Sequence, residues 1–595
     1  MSEDQTITKN ISVLLREILY FLPVFLIIFF LLSPIFSWAL GAPFYRDIQL
    51  MATNEFFGEQ LNLSPTNFLK HYSMQLGSLA IAYKFFDFSS FSYFALNIIL
   101  RIIAAFVIFF FVTKWTKSRL AGFLSSLFFG INTAGIRSTV DVTLFQVYIA
   151  ITFLIIFLDR WLAFHNHPNR RNLIVSTALF VITILSYPER MVGLPFLVVA
   201  AELYWLFKSF KDKMNRTLVL FHLLSLIFIL ILLIFITGSL SPIGEVAAKQ
   251  VSIGVLLLSL LIGSPDTIAA IFAFIGNLLI PSPPLNSNYL DIQIIKSLGD
   301  LIPILGIIFV IISLIKRKFL LAYLWVIPIV FSPFISQSKL ELVGWQEDWI
   351  AVTRLGGTLF TILNLALISL WQKNKTLSGI GLLGTGLVLS NLLLPWLISP
   401  QNNSASDQSA FRFVHRYYTV PSIGMGLLLS CAVSLILQSF KKNLLMRSML
   451  VLLIIVPTAL LILLQVVATR HYIMAQDKYI NLNDANAQKI DLFWTKLRPF
   501  VKNIKGGEDN LIYIDSDGSL SERYITAYFP VRIDMTTKGD SPKLKFIFQE
   551  SELDQYLMQH PDNQTLETAL FAFSWHNNNL KDIKNELLNS YDQSL

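Results

Sequence analysis

The chain has 595 residues, of which 54% are hydrophobic and 14% are charged, with a formal net charge of +8. Soluble domains carry about 25% charged residues, so this composition excludes an ordinary soluble protein and indicates a polytopic membrane protein. The single cysteine, Cys431, excludes a disulfide framework. The basic residues lie in short connections between apolar runs, which argues against a nucleic-acid partner.

Thirteen apolar runs predict membrane spans, each of which needs about 20 residues of helix. They lie at 17–40, 91–113, 119–136, 140–158, 172–187, 191–207, 217–237, 299–315, 319–335, 354–371, 378–399, 418–439 and 447–468. Alternate connections are short and rich in Lys and Arg, as in "TKWTKSR", "KSFKDKMNR" and "KKNLLMR". The positive-inside rule places these connections and the N-terminus in the cytoplasm, and the C-terminus outside an inner (plasma) membrane.

Two of the predicted outer loops are long. Outer loop 1, residues 41–90, has the pattern of amphipathic helices that lie on the membrane surface. Outer loop 4, residues 238–298, contains an apolar run interrupted by "GSPD", which favours a re-entrant or surface helix pair. We therefore predict an all-α transmembrane domain over residues 1–470.

The polar segment 471–595 predicts a separate, extracytoplasmic α/β domain. The stretches "NLIYIDSDG" and "LKFIF" are typical of buried strands, and "ESELDQYLMQ" and "NNLKDIKNELLNSY" are typical of helices. "DSDG" resembles the start of a calcium loop, but no Glu follows at the spacing that an EF-hand requires, so a polar turn is the better interpretation.

Asp47 is the first candidate site residue. It stands beside Tyr45 and Arg46 where the first span ends, and it opens an amphipathic stretch that contains Asn54 and Glu55. Asp47 and Asn54 are seven residues apart and would share a helix face. A carboxylate at a membrane surface is placed to act as a general base on a hydroxyl or an amide, although a solvated loop Asp would look the same.

Several cations stand at the predicted outer ends of other spans: Arg354 in "DWIAVTRLGG", and Arg412, His415 and Arg416 before Tyr417 in "FRFVHRYYTVPS". They could be interfacial anchors, or they could bind an anion such as a phosphate, which guanidinium groups hold in bidentate geometry. Glu189 and Arg190 occupy a short outer turn, where they either form a solvated hairpin tip or line a cavity shared with Asp47.

Arg101 and Glu202 lie at similar depth in two predicted spans, about ten residues from the outer ends. Because ionisable groups inside a membrane are usually paired, we predict a structural ion pair between them. The histidines show no metal-ligand spacing, and the chain has no Walker A motif or glycine-rich nucleotide loop.

Taken in order, several of these motifs resemble those of the GT-C superfamily of polyprenyl-phosphate-sugar-dependent glycosyltransferases. The nearest branch is the bacterial relatives of the transmembrane O-mannosyltransferases that carry tetratricopeptide repeats, which are also similar to protein O-mannosyltransferases. The resemblance covers roughly residues 15–440 and rests on "FYRDIQLMATNE", "FALNIILR", "SLFFGINTAGIRSTVD", "SYPERMVGLPFLVVAAELYW", "NLLIPSPPLNSNY" and "HRYYTVPSIG".

The resemblance implies a GT-C-like bundle that transfers a sugar from a polyprenyl-phosphate donor to an extracytoplasmic acceptor, with inversion at the anomeric carbon. It implies that Asp47 is the general base and that Arg354, Arg412, His415 and Arg416 bind the donor phosphate. Tyr45, Arg46, Asn54, Glu55, Glu189, Arg190 and Tyr417 would line the substrate cavity.

The sequence also departs from the family pattern, since Arg46 replaces an acid and His415 replaces a Glu. Some members of the family use a divalent metal and others do not, so a requirement for Mg²⁺ or Mn²⁺ is left open. The replacement of an acid by Arg46 argues against such a requirement. A polymerase or ligase of lipid-linked glycans, a transporter and a non-catalytic scaffold of the same fold remain alternatives. The first of these would need Arg and His in its large outer loop, and residues 238–298 contain neither.

Overall fold

The computed structural model describes the backbone of residues 3–40, 90–140, 144–187, 193–208, 213–237, 275–281, 348–398, 418–439, 444–501, 509–516, 543–559 and 569–594, with some isolated residues between these ranges. The side chains at several helix ends lie outside this description. Among the described residues, one compact unit, the bundle unit, contains nearly all those before Gln476. The second, the C-terminal unit, contains the residues from Gln476 onward, together with 36–40 and the described residues between 79 and 93.

The described part of the chain is mostly helical. The helices are α1 Glu3–Leu32, α2 Ser90–Thr116, α3 Arg119–Ile131, α4 Arg137–Val140, α5 Gln146–Asn166, α6 Arg170–Ser186, α7 Leu194–Lys208, α8 Lys213–Thr237, α9 Asp348–Ser369, α10 Lys375–Ile398, α11 Thr419–Ser439, α12 Leu444–Val501, α13 Glu550–Gln559 and α14 Lys584–Ser594. Turns of 3₁₀ helix follow α1 and α3, at Ser33–Leu40 and Thr133–Gly135.

Five segments of the described chain are long and apolar enough to cross a membrane: Leu15–Phe36, Phe91–Thr116, Gln146–Asn166, Thr419–Ser439 and Ile454–Met474. Shorter apolar helices cover Arg119–Ile131, Arg216–Leu232 and Gly356–Ser369. These helices mark a membrane protein, as the composition predicts. The predicted spans at 299–315 and 319–335 lie largely outside the described residues, so the count of thirteen stays a prediction.

The predicted limits of the third and fourth spans are wrong. Apolar character continues to residue 136, but α3 ends at Ile131, and the next long helix begins at Gln146. The cause is local: Asn132 leaves the helical backbone conformation, and its side-chain oxygen accepts a hydrogen bond from the Ala134 amide at 3.0 Å. This competes with continuation of the helix, as Asn side chains commonly do at turns.

Small residues let the helices of the bundle unit approach closely. α10 and α11 cross at Gly384 and Gly424, where a Cβ atom on either glycine would collide with the carbonyl oxygen of the other. Ser125 of α3 and Ser430 of α11 share a hydrogen bond in the same core. Such contacts are typical of helices packed in a bilayer, where dispersion and interhelical hydrogen bonds replace the hydrophobic effect.

The C-terminal unit contains a four-stranded sheet of β1 Asp509–Ser516, β2 Lys543–Ile547, β3 Leu570–His576 and β4 Asn579–Asp582, in the order β2-β1-β3-β4. β1 is parallel to β2 and to β3, whereas β4 is antiparallel to β3. Alternate residues of β1 pack on opposite faces: Ile512 joins a core with the end of α12, and Leu511 joins one with α13. This is the alternation expected of a strand that is covered on both faces.

The strand predictions for "NLIYIDSDG" and "LKFIF" are confirmed, as is the helix in "ESELDQYLMQ". The prediction that "NNLKDIKNELLNSY" is helical throughout is wrong, because its first part forms β4. Asn577 and Asn578 have φ values of 53° and 60°, and two such residues in a row form the tight turn that joins antiparallel strands. The helix α14 begins only at Lys584.

Candidate functional site

A polar junction fills the break between α3 and α5 in the bundle unit. We use "polar junction" for residues 129–140 together with the groups from other segments that bond to them. Asn132 caps the 3₁₀ turn Thr133–Gly135, and all of these residues are buried. A Cβ on Gly135 would lie 3.3 Å from the Thr419 Cα, so the turn sits directly against the start of α11.

Arg101 supplies the positive charge of the polar junction, and it is only 1% exposed. One guanidinium nitrogen, Nη1, donates to Thr139 Oγ1 at 2.6 Å and lies 3.4 Å from the Tyr148 hydroxyl. The other, Nη2, donates to the carbonyl oxygens of Phe129 at 3.2 Å and Asn132 at 3.0 Å. These carbonyls lie at the C-terminal end of α3, where the helix dipole is negative.

The predicted ion pair between Arg101 and Glu202 is therefore wrong. None of the hydrogen bonds or ion pairs of Arg101 involves Glu202, whose partners are Trp161, His165 and His222. The physical reason is that a helix C-terminus, rather than a carboxylate, balances the buried guanidinium. Similar depth in two spans did not make the two residues lateral neighbours.

A second segment, residues 275–281, also belongs to the polar junction, and its residues 275–279 are helical. The Asn132 side-chain amide donates to the Leu278 carbonyl at 3.0 Å. Gln465 of α12 donates to the carbonyls of Leu278 and Leu279, both at 3.0 Å, and its own oxygen accepts from the Thr133 amide at 2.9 Å. The same glutamine therefore holds the two segments together.

The start of α11 completes the polar junction. Tyr418, which directly precedes α11, is fully buried. Thr419 Oγ1 lies 2.7 Å from Ser138 Oγ. The backbone amide of Ser422 donates to the Tyr418 carbonyl at 2.8 Å, which starts the helix at this point.

α9 brings a fourth segment to the same region. A Cβ on Gly356 would collide with the backbone of Gly276, so the backbones of the two segments touch at these glycines. Arg354 lies two residues before Gly356 on α9, and its backbone is helical. The Arg354 side chain lies outside the described part of the structure.

Most of the predicted site residues lie outside the described residues, and their roles stay predictions. This group contains Tyr45, Arg46, Asp47, Asn54, Glu55, Glu189, Arg190, Arg412, His415, Arg416 and Tyr417. Some described residues adjoin them in the chain: Tyr187 comes shortly before Glu189, Met191 directly follows Arg190, and Tyr418 directly follows Tyr417. All three are buried.

The structure also shows a cluster that sequence reasoning missed. His165 of α5, Glu202 of α7 and His222 of α8 are buried together, and their nearest ligand-type atoms lie within 4.8 Å of one another. Glu202 Oε1 is 2.6 Å from Trp161 Nε1, 3.0 Å from His165 Nε2 and 2.7 Å from His222 Nδ1. The signals in the sequence were Glu202 and His222, each an ionisable residue inside an apolar run.

Comparison with known proteins does not assign the chain to a family. No family model matches the sequence, and no curated protein matches it.

Proposed function

We propose that this protein is a membrane glycosyltransferase of GT-C-like fold, a bundle of about thirteen transmembrane helices. In this proposal it transfers a sugar from a polyprenyl-phosphate donor to an acceptor on the extracytoplasmic face of the plasma membrane. The observation that carries the proposal is the polar junction itself. Three of the segments on which the family resemblance rests meet there: 275–281 bonds to 129–140 through Asn132, and 418–424 bonds to 129–140 through Thr419 and Ser138.

The polar junction supports the proposal because it positions the residues that directly follow the predicted cations. The segment 412–417, which contains Arg412, His415 and Arg416, runs directly into Tyr418. Thr419 is hydrogen-bonded to Ser138, so the end of that segment has a fixed attachment. Arg354 belongs to a helix that touches the same place at Gly356.

The proposed reaction uses these residues as follows. An acceptor hydroxyl or amide attacks the anomeric carbon as Asp47 takes its proton. The bond between that carbon and the phosphate oxygen breaks, and the lipid phosphate leaves with the electron pair. Cations placed where this negative charge develops lower the barrier, which is the role we assign to Arg354, Arg412 and Arg416, with His415 beside them. Attack from the side opposite the phosphate inverts the configuration.

The test is sugar transfer in membranes that contain the wild type, Asp47→Asn or Glu552→Gln, assayed with a panel of radiolabelled polyprenyl-phosphate sugars. Asparagine keeps the shape of the side chain and removes the base, so transfer should fall about 10²-fold or more. Glu552 is exposed on α13, so Glu552→Gln is a matched control that also removes one carboxylate. Its transfer activity should equal that of the wild type.

Equal transfer by the wild type and Asp47→Asn would contradict the assignment of the base. A wild type that transfers no sugar from any donor of the panel, although it is expressed and folded, would count against the enzyme and for the scaffold or transporter alternatives.

A further inference from the structure

The buried cluster of His165, Glu202 and His222 shares no residue with the polar junction or with the proposed reaction. We infer that it binds a transition-metal ion of the Zn²⁺ class. Its three members come from three different helices, α5, α7 and α8, so the fold and not a local sequence motif brings them together.

The donor set fits this chemistry. Two imidazole nitrogens and one carboxylate oxygen form the three-ligand set found in zinc sites that keep a fourth position open. Around a tetrahedral zinc ion, donor atoms are about 3.3 Å apart, as bond lengths near 2.0–2.1 Å require. The distances of 3.0 Å and 2.7 Å from the two imidazole nitrogens to Glu202 Oε1 are about 0.3 Å and 0.6 Å shorter than that separation, so the ligands would move slightly apart to admit the ion.

Glu202 has a spare donor atom. Its Oε1 atom takes all three hydrogen bonds of the carboxylate, whereas Oε2 is buried and has no hydrogen-bond partner in the described structure. A buried, unpartnered carboxylate oxygen is costly, and a metal ion bound by both oxygens of Glu202 would satisfy it. His222 Nε2 is also buried without a partner and would carry the imidazole proton when Nδ1 binds the metal.

Aromatic side chains hold the three ligands in place. Trp161 Nε1 donates to the carboxylate, and the ring of Trp205 stacks on His165, with a centroid distance of 4.8 Å and an interplanar angle of 10°. Phe164 packs on His222 with centroids 4.7 Å apart. Groups that orient the ligands in this way are typical of metal sites, because they fix ring and carboxylate geometry before the ion arrives.

The cluster lies near the ends of its helices, which gives the ion a short path. His165 is one residue from the end of α5, Glu202 is six residues from the end of α7, and His222 is nine residues after the start of α8. In the predicted topology these are cytoplasmic ends, on the side of the membrane opposite Asp47.

The experiment measures bound metal in protein purified in detergent through a tag without histidine. After incubation with Zn²⁺ and removal of the excess, the wild type should retain one zinc per chain. His165→Gln, His222→Gln and Glu202→Gln should each lower zinc affinity by about tenfold or more, because each loses one of the three ligands. His167→Gln replaces an exposed histidine two residues from the site and should bind like the wild type.

Substitution with Co²⁺ gives a second readout that requires no variant. A cobalt-loaded wild type should show the visible absorption of a tetrahedral site with nitrogen and oxygen ligands. A wild type that retains neither Zn²⁺ nor Co²⁺ would overturn the inference and leave the cluster as a hydrogen-bonded support for three helices. Retention of metal by all three ligand variants as strongly as by the wild type would overturn it too. Neither outcome depends on sugar transfer.

Discussion

Arg101 donates a hydrogen bond to the backbone carbonyl of Asn132 at 3.0 Å, so a buried cation is bound to the C-terminal end of a helix rather than to a carboxylate. The guanidinium has five donors in a rigid plane, which lets it reach two carbonyls of α3 and the Thr139 hydroxyl at once. This geometry ties α2 to residues 129–140 and thereby fixes one side of the polar junction.

The first prediction concerns Arg101→Leu. Loss of the guanidinium leaves the carbonyls of Phe129 and Asn132 without their donor, so residues 131–140 should open more often. We expect amide hydrogen exchange there to be about tenfold faster, measured by mass spectrometry on the purified protein. Arg160→Leu removes an exposed arginine and is the matched control. Unchanged exchange in Arg101→Leu would show that the guanidinium does not hold this segment.

The second prediction concerns the crossing of α10 and α11. Gly384→Leu places a side chain where the Gly424 carbonyl oxygen lies, so the helices must separate, and overpacking of this kind costs about 1–3 kcal/mol. The thermal midpoint in detergent should fall by several degrees. Gly379→Leu makes the same change on the same helix where nothing lies within 4 Å of a new Cβ, and it should leave the midpoint near the wild-type value. Equal midpoints for both variants would contradict the close crossing.

The third prediction concerns Tyr418→Phe, and it rests on the proposed function. Tyr418 is fully buried at the start of α11, so loss of its hydroxyl should alter the packing at the point where the segment 412–417 joins the helix. Transfer should fall about tenfold, mainly in kcat, since the cations act on charge that develops in the transition state. Steady-state kinetics with varied donor measure this, with Tyr204→Phe as the exposed control. A rise in KM with unchanged kcat would instead assign Tyr418 to ground-state binding.

The fourth prediction concerns the C-terminal unit at high pH. Burial raises the pKa of the Tyr513 phenol above its usual 10.0, and the nearby carboxylates of Asp515, Glu550 and Asp554 raise it further. In the unfolded chain the phenol loses its proton at lower pH than in the folded unit. The native state therefore binds more protons, and stability falls as pH rises above about 10.

A difference titration measures this pKa directly. The tyrosinate absorbance of the wild type minus that of Tyr513→Phe isolates the one phenol, and its midpoint should lie above 10.0. A midpoint at or below that value would contradict the packing described for β1.

The sequence predicted those elements whose pattern is local. Ile512 and Ile514 alternate with Leu511 and Tyr513, so both faces of β1 could be recognised as buried without knowledge of what covers them. The long apolar helices could be recognised from their composition for the same reason. Membrane character and the small α/β unit follow from such patterns.

The break after Ile131 could not be predicted in this way. The run around Asn132 is apolar enough for a span, and what makes the break stable is the set of partners for its polar groups. These partners, Leu278 and Gln465, are far away in the chain. A local pattern shows that Asn132 can form a turn. It does not show that the polar groups of a buried turn will find hydrogen-bond partners.

The prediction that Arg101 is the partner of Glu202 failed for a related reason. The depth of a residue in the membrane can be counted along its span. From that depth we predicted that the Glu202 carboxylate is buried and has polar neighbours, and this is correct. Lateral position depends on how the helices are arranged around one another, and here it placed Glu202 beside His165 and His222. Arg101 has about the same depth but belongs to a different group of helices.

The most direct test of the proposed function is photoaffinity labelling of the wild type with a polyprenyl phosphate that carries a diazirine. The lipid phosphate is shared by all donors of this class, so the experiment does not depend on the identity of the sugar. We predict labelled peptides from 129–140, 275–281 or 412–424, competed by unlabelled polyprenyl phosphate but not by polyprenol, and weaker labelling in Arg416→Gln. Labelling confined to other peptides, or equal competition by polyprenol, would contradict a donor site at the polar junction.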